Sequence, residues 1–337
     1  MTDTGMTAIS QKQLYLVLSA ATVILFMASV AIGRDSLPVF DALKDTITNT
    51  DSVYAVILSQ IRLPRALIAL FAGATLGLCG AAMQGLLRNP LASPGLVGSA
   101  SGAALFAVIV LYFGNSLISP YVLPLAGMTG ALLATVLVYI LAGRDASITT
   151  LILAGVAINA LATACMSLLL NLAPSPFAVR ELMLWTLGDI TDRSMRDFWL
   201  MLPTTLIGWA MLAGVGGQLD ALTLGERTAQ SMGIHPVRLR WRVFIAVSLA
   251  VGASVATVGM IGFIGLVIPH LLRPFVSHEP GRLLPVSALG GACMLLAADI
   301  GVRLIPTDSP LRVGVLTAIV GAPFFLHLIV RSRREYL

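Results

Sequence analysis

The sequence predicts an all-α polytopic membrane protein with about ten transmembrane helices per subunit. Three observations carry this. The 337-residue chain is 57% hydrophobic and only 11% charged, too few charges to clothe a soluble fold of this size. Its mean hydropathy is +0.92. Its apolar stretches reach the ~20 residues that a bilayer crossing requires, and they tolerate internal Gly and Pro as membrane helices do.

Taken in order, the long apolar stretches are 13–33, 61–87, 121–142, 148–170, 198–215, 241–258, 283–303 and 312–331. Two shorter ones, 99–113 and a broken piece at 259–272 ("GMIGFIGLVIPHLL"), complete the set. The first stretch, Leu14 to Ile32, has no basic leader and no small-x-small cleavage site, so it reads as a retained helix. Asn171 to Asp197 is polar and carries Pro174 and Pro176. It reads as an exposed loop with a short interfacial helix from Leu182 to Leu187. The chain forms one membrane domain, 1–337.

Charge sets the orientation. With the N-terminus inside, the inner loops collect Lys12, Arg88, Arg144, Arg227, Arg238, Arg240, Arg242, Arg273, Arg282, Arg331, Arg333 and Arg334, more than half of the 21 basic side chains. Both termini are then cytoplasmic. The formal net charge of +5 follows from this bias and does not imply nucleic acid. Cys79, Cys165 and Cys293 lie in apolar stretches without C-x-x-C pairing and read as small core residues.

"AGATLGLCGAAMQGLLRNP" from Ala72 resembles "VGASVATVGMIGFIGLVIP" from Val251, with Gly73 and Gly80 matching Gly252 and Gly259. This raises the expectation of an inverted repeat, a common transporter plan.

Several chemistries find no support. The two lysines, Lys12 and Lys44, follow no glycine-rich phosphate loop. The four histidines have no metal-ligand spacing, so no metal site is expected. No nucleophile sits beside a base in a recognisable motif, which weighs against an intramembrane enzyme. Acids at mid-membrane, usual in ion-coupled carriers, are nearly absent. Asp299 precedes Arg303 by one helical turn and reads as its i,i+4 partner. Gln84 and Asn159 read as interhelical hydrogen-bonding groups.

Three stretches remain. "QGLLRNPLASPGLVG", 84–98, ends a helix at Pro90 and delays the next at Pro94. Its irregular backbone must line protein or water rather than lipid. The inner loop "LDALTLGERTAQSMGIHPVRLRWR", 219–242, holds a short helix bracketed by Gly225 and Gly233, with Leu222, Ala229 and Met232 at helical spacing. On the outer side, "RLPR" at 62–65 enters a helix with Pro64 in its first turn. Snorkelling is the ordinary fate of such arginines.

"RLPRALIALFAGATLGLCGAAMQGLLRNPLASPGLVGSASGAA", "LTLGERTAQSMG", "GFIGLVIPHLLR" and "LLPVSALGGACMLLAADIGVR" together resemble the iron-chelate, haem and cobalamin permeases of bacterial ABC importers, the FecCD-type family. The resemblance runs over about residues 55–330. It implies a type II importer fold in the bacterial inner membrane and a homodimer with the path along its axis. Two ATPase subunits would bind below, holding the ATP and Mg, with no cofactor on this chain. A periplasmic substrate-binding protein would dock above.

The resemblance also implies roles. Leu224, Gly225, Glu226, Ala229, Ser231, Met232 and Gly233 match the coupling segment that presses on the ATPase. Arg62, Arg65 and Arg303 match arginines that meet glutamates of the binding protein. Asn89, Pro90 and Leu91 match a cytoplasmic gate loop, and Ser147 with Ile148 fall at a second gate. Ile148 departs there from the hydroxyl residue of the cobalamin branch. The implied cargo is an iron compound, haem or ferric siderophore, with cobalamin as the alternative. A stand-alone ion-coupled carrier is the competing class.

Overall fold

The computed structural model describes residues 10–33, 38–48, 52–113, 121–143, 147–172, 179–180, 183, 186–305 and 311–335. Every regular element among them is helical. Helix α1 (Gln11–Ala31) opens on a capping box, in which Ser10 accepts from Gln13 N and the Gln13 side chain returns to Ser10 N. Its Leu16, Val17, Ile24 and Met27 face outward, as lipid-facing side chains do. Helix α2 (Val39–Ile47) is short and amphipathic, and the hydropathy pattern did not announce it.

Helix α3 (Val53–Val56) passes through a π turn, Ile57–Arg62, into α4 (Leu63–Leu87). The span 53–87 is therefore one continuous helix, longer than the expected 61–87. The π turn has a local cause. Pro64 offers no N–H to the preceding turn, and Leu63 N reaches back to Leu58 O, widening the helix by one residue. The chain continues through a 3₁₀ turn, Pro94–Val97, into α5 (Ser99–Phe113), α6 (Val122–Ala142) and α7 (Ile148–Asn171).

Helix α8 (Met195–Leu212) breaks at Gly214 and resumes as α9 (Gly216–Thr223), bent by 48°. Helix α10 (Glu226–Ser231) follows, then α11 (Pro236–Val258), α12 (Ile264–Leu272), α13 (Pro280–Leu304) and α14 (Val313–Glu335). α11 starts at Pro236, earlier than expected. Arg238, Arg240 and Arg242 thus lie on a helix and not in a loop. Among the described residues six helical spans are long and apolar enough to cross a membrane alone. The bent α8–α9 pair and the shorter apolar helices α5, α12 and α14 bring the set to about ten crossings, matching the expectation.

The segments from Ala72 and Val251 do not fold alike. The first stays helical through Leu87 and breaks only at Arg88, whereas the second breaks at Gly259 (φ 73°) and resumes after Phe263 (φ 65°). Gly73 and Gly252 both admit a close neighbour, whereas Gly80 admits the Gly265 carbonyl and Gly259 ends its helix, so the likeness holds at one glycine pair and not at the other. The interfacial helix expected at Leu182–Leu187 falls largely outside the described residues.

α4 and α11 are the most enclosed spans, each with 78% of its apolar window buried. The most extensive pairing is α4 against α13, and it is built on small residues. A Cβ on Gly73 would collide with the Gly291 carbonyl, one on Gly77 with the Ser287 carbonyl, and one on Gly80 with the Gly265 carbonyl of α12. Lipid tails are as apolar as Leu, so helices in a membrane associate through such close packing. Gly77→Ala is expected to force α4 and α13 apart. The cost should be about 1–3 kcal/mol, as for overpacked cores, read as a lower melting temperature in detergent. A wild-type melting curve would show that this seam is not tight.

Candidate functional site

Two polar clusters lie at opposite ends of α4. The helix has 25 residues, so the ends stand about 37 Å apart at 1.5 Å per residue.

The first cluster begins where α4 stops. Arg88 adopts the left-handed conformation (φ 48°), and Asn89 N donates to Gln84 O at 3.2 Å, closing the last turn. Pro90 then bars further helix. Asn89 Oδ1 accepts from Leu91 N at 2.9 Å and Asn89 O accepts from Ala92 N at 3.1 Å, so residues 89–92 form a tight Asx turn that leaves Leu91 41% exposed. The following segment is tied to α7. Asn159 Nδ2 donates to Gly95 O at 2.9 Å, and Asn159 Oδ1 accepts from Ser101 Oγ. This gives Asn159 a definite task, holding the turn after α4 against α7.

Ser147 caps the start of α7, accepting from Thr150 N at 3.1 Å. α10 is framed as expected by Gly225 (φ 102°) and Gly233 (φ 82°), at values that L side chains rarely adopt. Ala229 is fully buried, and its carbonyl accepts from Ile234 N at 3.0 Å. The spacing of Leu222, Ala229 and Met232 suggested a single buried face, and the structure divides them. Leu222 and Ala229 are buried, whereas Met232 is 59% and Leu224 63% exposed. α10 is fastened by a Glu226–Arg240 ion pair at 2.5 Å. Arg242 closes the end of α8, donating to Met211 O at 2.6 Å and Ala213 O at 2.7 Å. Asp220 on α9 accepts from Gly281 N at 2.7 Å, fixing the start of α13.

These pieces enclose a cleft of about 420 Å³ lined by Arg88, Ser147, Ile148, Glu226, Gln230, Pro236, Val237 and Arg240. The fold thus places Ser147 and Ile148 on the same cleft as the first residue of the candidate coupling helix. Asn89, Pro90 and Leu91 stand beside the cleft through Arg88 and do not line it. Arg88, Gln230 and Arg240 were not singled out from the sequence. No local signal could have paired Arg240 with Glu226 across the intervening turn.

The second cluster contains Arg62, Arg65 and Arg303, brought together as their shared side suggested. Each is engaged internally. Arg62 is buried, and its Nη1 donates to Ala31 O at 2.5 Å and Val30 O at 3.3 Å. Arg303 donates to Ser29 O and Ile32 O, both at 2.7 Å, and pairs with Asp299 at 2.5 Å, the expected i,i+4 contact. Arg65 pairs with the other oxygen of Asp299 at 2.8 Å. Two of the guanidiniums therefore satisfy the open carbonyls at the end of α1, while a fully buried carboxylate joins α4 to α13. Free snorkelling does not describe them. Arg65 keeps the most exposed side chain of the ion-paired two, 15% against 9% for Arg303.

Among the described residues no three His, Cys, Asp or Glu side chains gather as metal ligands would. A polar hinge at one end and a charged clasp at the other, joined by apolar spans, mark a helical membrane protein. The chain belongs to the FecCD transport family, whose profile matches residues 21–331. It is the permease subunit of an ABC importer.

Its relatives include the vitamin B12 import permease BtuC of Vibrio cholerae, 43% identical over 81% of this chain and 82% of that protein. The Fe(3+)-citrate import permease YfmE of Bacillus subtilis is 37% identical over 96% and 97%. The hemin transport permease HmuU of Yersinia pestis is 37% identical over 93% and 94%. A solved metal-chelate type ABC transporter in an inward-facing conformation superposes with a TM-score of 0.83 at 31% identity, covering 95% of this chain and 99% of that one.

Asp299→Asn is expected to leave two arginines facing each other without their counter-charge. Breaking a buried pair of this kind costs about 3–5 kcal/mol. The variant should therefore melt well below the wild type in detergent. An unchanged melting temperature would mean that the carboxylate does not hold α4 to α13.

Proposed function

We propose that two copies of this chain form the conducting path of an inner-membrane importer for an iron chelate, haem or a ferric siderophore, with both termini cytoplasmic. ATP and Mg are handled by a separate ATPase subunit at the end that carries α10, and a periplasmic binding protein delivers cargo at the opposite end. The observation that carries this reading is the shared cleft. A helix flanked by two large exposed apolar side chains, Leu224 before it and Met232 after it, is pinned through Glu226–Arg240 to α11 and shares a cleft with the start of α7. Exposed apolar side chains on an otherwise polar turn are the mark of a docking surface.

In this reading Leu224, Gly225, Ser231, Met232 and Gly233 meet the ATPase, with Ala229 anchoring the helix from inside. Closure of the ATPase dimer pushes α10, and Glu226 passes the motion to α11 and to the second gate at Ser147 and Ile148. The first gate, Asn89 to Leu91, follows through Gly95 and Asn159 on α7. At the far end Arg65 is the arginine best disposed to meet an acidic side chain of the binding protein. Arg62 and Arg303 act there by holding α1 in place.

Cobalamin is the second reading of the cargo, and the 43% identity to a vitamin B12 permease is the observation that favours it. Uptake of labelled haem, ferric siderophore and cobalamin, each measured in cells whose own permeases are deleted, separates the two. Iron-compound uptake without cobalamin uptake is expected, and the reverse would move the assignment to cobalamin. The importer mechanism has its own test. Leu224→Asp with Met232→Asp should reduce recovery of the copurifying ATPase subunit at least about tenfold, since buried apolar anchors dominate such interfaces. Full recovery, or uptake that survives ATP depletion and collapses with an ionophore, would overturn it in favour of an ion-coupled carrier.

A further inference from the structure

One cavity is explained neither by the coupling cleft nor by the outer clasp. It has a volume of about 220 Å³ and is lined chiefly by Gln84, Arg88, Thr223, Arg273, His278 and Pro280. Two guanidiniums, an imidazole, a hydroxyl and an amide face it, and among the described residues no carboxylate lines it. The acids closest in sequence are engaged elsewhere. Glu279 pairs with Arg282 at 2.6 Å, and Asp220 accepts from Gly281 N at 2.7 Å. The positive charge of the cavity is thus not neutralised by its own wall.

The donors are held in place. Gln84 is almost wholly buried; its Nε2 donates to Leu266 O at 3.1 Å and its Oε1 accepts from Arg273 Nη2. This fixes the Arg273 guanidinium beside the last turn of α4. Arg273 Nε is buried and without an acceptor among the described residues. Ser277 and His278 are consecutive left-handed residues (φ 54° and 63°), a costly conformation that carries His278 to the cavity. The cavity opens at the ends of α4 and α9 and at the start of α13, where membrane-spanning helices leave the apolar layer.

We propose that this cavity binds a phosphate group, presented by the headgroup of an anionic phospholipid. Guanidinium forks match phosphate oxygens, and basic pockets between membrane helices capture anionic headgroups. The bound headgroup would bridge the end of α4, the end of α9 and the turn before α13. Anionic lipid would then stabilise the base of the coupling region. Inorganic phosphate offers the same oxygens, and the experiment separates the two sources.

The full-length chain in detergent is titrated with phosphatidylglycerol and followed by native mass spectrometry. In parallel its melting temperature is measured with inorganic phosphate. The variant Arg88→Gln/His278→Asn removes two exposed donors and leaves the Arg273–Gln84 contact intact. Wild type should retain phosphatidylglycerol about tenfold more tightly than this variant. Arg273→Lys, which keeps the charge and loses the fork, should fall between them. Stabilisation by inorganic phosphate in the wild type alone, without lipid retention, would keep the phosphate site and move its source to the free ion. Equal lipid retention by wild type and variant, with no phosphate-dependent shift in either, overturns the proposal. Should the double variant aggregate, Arg88→Gln alone is judged by the same readings.

Discussion

The close seam between α4 and α13 is the constraint on which the rest of this structure depends. Gly73, Gly77 and Gly80 bring α4 against the backbone of Gly291, Ser287 and Gly265. Water cannot drive these helices together inside a bilayer, so van der Waals packing at short range must do it. Each missing Cβ allows that approach. Because α4 is held so firmly, the features at its two ends keep a fixed separation, and a transport cycle has a rigid post to move around.

Polar groups are costly inside the apolar layer, and their use here is selective. At one end Arg62 and Arg303 take up carbonyls that α1 leaves open, and Asp299 ties Arg65 on α4 to Arg303 on α13. α1 shows most of its surface outward, so these contacts contribute much of what fixes its end. At the other end Asn159 joins the turn after α4 to α7, and Glu226 joins α10 to α11. The first cluster is a clasp with little room to move. The second is a chain of single contacts around an open cleft, a more deformable arrangement. That asymmetry fits the proposed drive from the α10 end.

The bent pair α8–α9 serves the same end of the molecule. Gly214 takes a left-handed conformation, Arg242 satisfies the carbonyls released at the end of α8, and Asp220 caps α13 across the gap. A break in a membrane helix is stable only when its freed backbone groups find partners. Here the partners also set the base from which α10 projects.

Composition and apolar run length determined the helical membrane class and about ten crossings, because a bilayer demands both. Gly225 and Gly233 marked the ends of α10, since each stands where a side chain would strain the backbone. The Asp299–Arg303 pair was legible because it is one helical turn apart. Contacts between distant segments were not legible. Arg65–Asp299, Arg240–Glu226 and Asn159–Gly95 join residues whose proximity depends on which helices pack together. The sequence likeness between the segments from Ala72 and Val251 did not fix the role of each glycine, because a glycine can either admit a neighbouring helix or end its own. Only the tertiary structure decided which, by supplying a packed carbonyl beside Gly80 and a positive φ at Gly259.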